Sequence, residues 1–151
     1  MKLICDRMLG KLAKKLRMLG FDTTYHEPTA KEGIIISALK ENRIVLTRRT
    51  NHPTAAEHID LIFIKDNDPE NQIRQVIKHL KITKEMTNPF SICICCNTKL
   101  KPLEKKQVEG QVADHIFNSI DSFSTCPACK KIYWCGTHHV NMTKWIDDIF
   151  N

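Results

Sequence analysis

Two groups of residues in this chain have the types and spacing to do chemistry. The first is cysteine. Cys93 and Cys96 form one C-x-x-C pair and Cys126 and Cys129 a second, with 29 residues between Cys96 and Cys126. A C-x-x-C turn aims two thiolates at one point, and two such turns complete a tetrahedral Zn2+ site. Four thiolates leave no position for water, so this zinc is expected to be structural. Cys95 has the wrong spacing for a knuckle, and Cys135, His138 and His139 stand as reserve ligands. Seven cysteines, six of them beyond residue 92, make an odd count for a disulfide framework and favour a metal.

The second group is acidic. Asp6 follows the apolar run Lys2–Cys5, Asp22 follows a helix-ending glycine, Glu32 opens a helical stretch, and Asp66 and Asp68 follow DLIFIK. In a parallel sheet the strand ends share one edge, where Asp6, Asp66 and Asp68, with Glu32 leaning over, can converge with His26, Glu27, Arg48 and Arg49. Clustered carboxylates can hold one or two Mg2+ or Mn2+ ions, which activate water and offset charge on a scissile phosphate. The plainer roles are a helix N-cap for Asp6, a solvated cap near Pro69 for Asp66 and Asp68, and a turn for Asp22.

The elements that must position these groups follow from hydrophobic spacing. Lys2–Cys5, Phe21–His26, Arg43–Thr47 and Asp60–Lys65 read as strands. Between the first two lies a two-faced helix ending at Gly20. Met8, Leu9, Leu12, Ala13, Leu16 and Leu19 fall on one side of it, and Arg7, Lys11, Lys14 and Lys15 on the other. Lys31–Asn42 is expected to be helical despite its three isoleucines. Ile73, Val76, Ile77 and Leu80 have the spacing of a core-facing helix that opens at Pro69. A polar loop spans Arg48–Glu57, with room for a short helix after Pro53. This order predicts an α/β domain over residues 1–88, a mostly parallel sheet flanked by helices. Lys81–Phe90 reads as a polar linker. Residues 89–151 read as a small zinc ribbon, low in helix signal, with a last amphipathic helix at about Met142–Phe150.

Charge is uneven. Residues 1–88 carry 16 Lys and Arg against 11 Asp and Glu, whereas residues 89–151 carry 7 against 6. A basic first half suits an anionic partner such as nucleic acid. Arg7, Lys11, Lys14 and Lys15, with Arg48 and Arg49 at the nearby strand edge, are the expected contacts to an RNA backbone. No run approaches a membrane span and the opening lacks the apolar core of a signal peptide, so a cytoplasmic protein with no membrane partner is expected.

The motifs Asp6-Arg7-Met8-Leu9-Gly10-Lys11-Leu12-Ala13 and Leu16-Arg17-Met18-Leu19-Gly20-Phe21-Asp22 closely resemble the opening of the Mut-seven C-terminal RNase domain family. The resemblance continues through Arg43–Arg48, Asp68–Ile73, the two C-x-x-C turns and Tyr133-Trp134-Cys135-Gly136-Thr137-His138, so it covers nearly the whole chain. It implies a PIN-like nuclease fold with a zinc ribbon, RNA as substrate, and Mg2+- or Mn2+-dependent hydrolysis. Asp6 matches the family's first acid and Asp22 its acid after the helix. Two positions depart. Arg49 stands where the family has aspartate, and Lys31-Glu32 stands where it has an acid at the start of the second helix. A guanidinium cannot be deprotonated at ordinary pH and would repel a metal ion. The resemblance therefore implies a metal-dependent ribonuclease of weakened acidic site (Asp6, Asp22 and Glu32 as a stand-in), which Asp66 joins from the strand edge. The alternative is a module that binds RNA or a ribonucleoprotein without cutting. An adaptor that uses only the ribbon to dock a protein would leave the basic helix unexplained. His138 and His139, beside Tyr133 and Trp134, are expected to serve structure or RNA stacking rather than proton transfer.

Overall fold

Three short apolar runs and one rich in threonine become four parallel strands, with helices packed on the sheet they form. A computed structural model of the chain describes residues 1–27, 33–51 and 59–151, which divide into two units, 1–97 and 98–151. Glu32 and the segment after Pro53 lie outside the described residues. In the first unit, β1 (Lys2–Cys5), β2 (Asp22–Tyr25), β3 (Ile44–Thr47) and β4 (Leu61–Phe63) lie in the order β2-β1-β3-β4, all parallel. Leu3, Ile4 and Cys5 are all buried, the mark of a central strand with helices on both sides. Alternation sends Ile4 and Val45 to one face, where they pack with Ile35 and Ala38 of α2 (Ile34–Glu41). The opposite face belongs to α1 (Gly10–Met18) and α3 (Pro69–Leu80), which pack against each other.

Helix α1 buries Leu12, Ala13 and Leu16 as its spacing requires, with Leu9 before it and Leu19 after it. Each of the leucines is worth about 1.5–3 kcal/mol of burial. Met8 departs from the predicted stripe and is exposed. Arg7–Leu9 form a 3-10 turn, so the 3.6-residue period begins only at Gly10. The three isoleucines of α2 are helical, closed by Asn42 in the left-handed conformation. Tertiary packing of Ile35 and Ala38 overrides their β-branched preference.

Lys81–Phe90 is not a loose connection. Ile82 is buried, and the amides of Asn88 and Phe90 donate to the Leu19 and Met18 carbonyls at the end of α1, at 3.0 and 3.2 Å. Gly20, at φ +89°, makes that approach possible, since a Cβ there would collide with the Asn88 carbonyl.

The second unit holds an antiparallel sheet of β5 (Lys101–Leu103), β6 (Phe123–Thr125) and β7 (Ile132–Trp134). It carries more helix than the sequence suggests. The helices are α4 (Lys105–Val108), α5 (Asp114–Ser119) and α6 (Thr137–Phe150). Helix α6 begins earlier than Met142 because Gly136 makes the break, and it takes in His138 and His139. Among the described residues no helix is long and apolar enough to cross a membrane.

Replacing Gly20 with alanine combines a strained backbone with a clash against fixed main chain. Gly20→Ala should cost about 2 kcal/mol or more, read as a lower urea midpoint at unchanged slope.

Candidate functional site

The sheet register brings the residues that follow β1, β2 and β3 to one carboxyl edge, since Cys5 pairs with both Tyr25 and Leu46. Asp6 is the buried member of that edge, 2% exposed. Its amide donates to the Leu46 carbonyl at 2.9 Å, extending the ladder by one rung. The side chain does not cap the turn that follows. Instead Oδ2 accepts the Thr47 hydroxyl at 2.8 Å, and Arg49 Nε lies 3.4 Å from the same oxygen. The Arg49 amide donates to Thr47 Oγ1 at 3.0 Å, so the hydroxyl is held in one orientation as donor and acceptor. The Asp6 side chain is 3% exposed and that of Arg49 50% exposed, so an approaching molecule meets the cation.

The other predicted acids lie elsewhere or are engaged. Asp22 pairs in register with Lys2, at the amino edge, about 13 Å along the strand from Asp6. Arg43, itself buried, donates to Asp22 Oδ1 at 2.8 Å, and Asn97 Nδ2 also donates to that oxygen. Burial alone would raise the Asp22 pKa, but the hydrogen bonds from Arg43 and Asn97 outweigh it and hold the carboxyl below its usual range. Asp66 accepts the Asp68 amide at 2.8 Å and Asn71 Nδ2 at 3.0 Å, and these hydrogen bonds, the Asp68 amide first, depress its pKa. Asp68 caps α3 by accepting the Glu70 and Asn71 amides at 2.9 and 3.1 Å, just ahead of Pro69. Among the described residues no cluster of three or more carboxylates forms that could hold a metal. The described donor set around Asp6, a hydroxyl and a guanidinium, does not fit Mg2+ or Mn2+, which need several oxygen ligands.

The basic residues divide in the same way. Arg7, Lys11 and Lys14 are exposed. Lys15 pairs with Glu70 of α3, and Arg48 donates to the Asn67 side-chain oxygen. Tyr25 Oη donates to the Arg7 carbonyl at 2.6 Å, tying the end of β2 to the turn that carries Arg7.

The Sγ atoms of Cys93, Cys96, Cys126 and Cys129 all lie within 4.8 Å of one another, and those of Cys93 and Cys96 are 3.5 Å apart. Four thiolates at about 2.3 Å from a tetrahedral zinc would be about 3.8 Å apart, so the residues fit a metal ion such as zinc. The two knuckles repeat one geometry. In each, the second cysteine's amide points at the first sulfur at 3.5 Å. The next residue, Asn97 or Lys130, turns left-handed at φ 62° and donates its amide at 2.9 Å to the first cysteine's carbonyl. Cys95, Cys135, His138 and His139 stand outside the group.

Sequence reasoning passed over three residues that organise these sites. Thr47 orients Asp6. Arg17, 7% exposed on α1, donates Nε to the Thr23 carbonyl at 2.8 Å and Nη1 to the Ile94 and Cys95 carbonyls at 2.9 and 2.8 Å. Asn97 accepts the Thr23 amide at 2.8 Å while donating to Asp22. The signal for Arg17 is its place at i+4 from Ala13, on the flank of a buried stripe. Asn97 and Thr47 carry no comparable mark.

Arg17→Met keeps the bulk and removes the donors, leaving buried carbonyls unpaired. Its expected cost is about 3 kcal/mol in denaturant unfolding. The variant should still take up zinc, and an unchanged unfolding midpoint would show that the carbonyls find other partners.

Neither a curated protein nor a solved structure matches this chain significantly. Residues 1–146 match the model of the Mut7-C RNAse domain, and the chain belongs to that family.

Proposed function

We propose, from membership of an RNase domain family, that the protein binds RNA along the carboxyl edge of its parallel sheet. The observation that carries this reading is the Asp6–Thr47–Arg49 arrangement. A guanidinium has five donors and one charge that cannot be titrated away. Arg49 turns one side to buried Asp6 and leaves half of itself in solvent, beside Arg48 and at the same sheet edge as Arg7, which follows β1, the strand paired with β3. That is a fork aimed outward from a fixed base, the form that suits a phosphate. Arg7, Lys11 and Lys14 supply further backbone contacts, and the pairing of Lys15 with Glu70 weakens its claim to one.

The domain arrangement in this proposal is a PIN-like α/β domain followed by a zinc ribbon, with a structural zinc on Cys93, Cys96, Cys126 and Cys129. The ribbon clamps RNA or docks a ribonucleoprotein partner in the cytoplasm. Trp134, partly exposed and packed on Phe123 at 6.4 Å between ring centroids, is the base-stacking candidate there.

The second reading is a metal-dependent ribonuclease. It is favoured by a specific observation, that Asp6 is buried at a strand end without serving as a cap. Against it stands Arg49, whose charge opposes a Mg2+ or Mn2+ ion at the same carboxylate. Hydrolysis would require that side chain to swing off Asp6, with Glu32 or Asp66 recruited to the edge, since strand register fixes Asp22 at the opposite one.

One pair of measurements separates the readings. Wild type should bind single-stranded RNA with affinity that falls steeply with salt, and should cleave it slowly or not at all with Mn2+. Arg49→Asp should gain Mn2+-dependent cleavage that Asp6→Asn abolishes. Efficient wild-type cleavage lost in Asp6→Asn would establish the enzyme instead. Absence of salt-dependent RNA affinity would overturn both and leave a protein-docking role.

A further inference from the structure

Next to the carboxyl edge, Lys65, Asp66, Asn71, Arg74, Gln75 and Lys78 line an open groove of about 420 Å3. Arg74 and Lys78 are four residues apart on α3, so they share a face, about 6 Å from each other along the axis. A third cation is brought to them by one side chain. Gln75 Nε2 donates to the Phe63 carbonyl at 2.6 Å, and its Oε1 accepts the Lys65 amide at 3.1 Å. This double hydrogen bond straps the chain leaving β4 onto α3 and sets Lys65 alongside the helical pair.

The acid in the lining is engaged in hydrogen bonds of its own. Both oxygens of Asp66 accept hydrogen bonds, from the Asp68 amide and from Asn71, so its charge is shared with the start of α3 rather than offered to the groove. Three cations against that one anion leave the lining at net +2. The groove also continues the edge. Asn67, the neighbour of Asp66, accepts from Arg48, and Arg48 adjoins Arg49. Cations therefore run from Arg49 through Arg48 and past Asn67 to Lys65, Arg74 and Lys78.

We infer that this groove is a second phosphate-binding station, which takes the backbone of a single RNA strand as it leaves the Asp6–Arg49 edge. Sequence readout is not its task, because its cationic groups, Lys65, Arg74 and Lys78, hold phosphates without discriminating bases. The inference rests on the RNA-binding reading above and extends it by a direction: the strand runs from the β3 exit across the β4 exit onto α3. A site at the edge alone would be filled by a few nucleotides. An edge joined to this groove needs a longer strand.

The test uses the full chain and two fluorescent oligouridylates, a tetramer and a dodecamer, titrated over a range of salt. The variant is the double substitution Lys65→Gln and Lys78→Gln. Arg74 is kept because it has another interaction as well. Both lysines are exposed, so the fold is expected to survive, which circular dichroism and the thermal midpoint check. For the dodecamer, the double variant should bind about tenfold more weakly. Its slope of log affinity against log salt should shrink by about 1.4, the share of two phosphates on a single strand. The tetramer should bind wild type and variant alike. A dodecamer affinity and slope equal to wild type would overturn the groove while the edge reading stands. A wild type with no salt-dependent affinity for either oligonucleotide overturns the RNA reading and the groove with it. Competition by an acidic peptide at tetramer-like concentrations, with RNA length having no effect, would reassign the groove to a protein.

Discussion

A buried guanidinium has to be surrounded by acceptors, because it cannot shed its proton and cannot accept a hydrogen bond. Arg17 imposes that requirement on the first unit. Its position on the buried flank of α1 obliges three carbonyls to face it, one from β2 and two from the first cysteine turn. The segment around Ile92–Asn97 is therefore no appendage to the sheet. Helix, strand and cysteine turn settle together or leave a charge uncompensated. Asn97 extends the same network to Asp22, and Asp22 to Arg43 at the start of β3. The amino edge of the sheet is sewn by these four side chains.

The two edges use the same pair of residue types in opposite senses. At the amino edge, the Arg43 side chain is 6% exposed and Asp22 is 37% exposed, and the two close to 2.8 Å. At the carboxyl edge the acid is the buried partner, the arginine is outside, and the separation is 3.4 Å. The first arrangement satisfies a cation inside the protein, which is structural work. The second leaves a cation in solvent, braced from behind by an anion, which is an arrangement for meeting an anion from outside. This asymmetry is why an acid and a base at matching places in one sheet have different consequences.

The acidic edge also explains why family membership and local geometry pull toward different activities. An RNase domain family makes RNA the natural partner. Yet the carboxylate at the head of this chain is coordinated by a hydroxyl and faced by a guanidinium. Arg49 places positive charge at this edge, which is compatible with a phosphate. Metal binding is opposed by the same charge.

Much of the architecture was legible before the fold was known. Four β-branched or apolar runs, separated by helical spacing, determine a parallel sheet flanked by helices, and Asp68-Pro69 marks where its last helix begins. Two C-x-x-C pairs determine a four-thiolate cluster, because spacing within each turn is a local property. The limits of local reading appear where neighbours in space matter more than neighbours in sequence. Met8 belongs to the apolar stripe by its angle but lies in a 3-10 turn before the helix proper. Asp22 is a companion to Asp6 by resemblance to the family, whereas parallel register sends it to the other edge. The sequence alone determined which residues could be strand, helix or ligand. The tertiary structure alone decided which of them meet, because Arg17, Asn97, Thr47 and Arg49 acquire their roles from carbonyls and carboxylates that lie dozens of residues away or across a strand, and no periodicity encodes such a pairing.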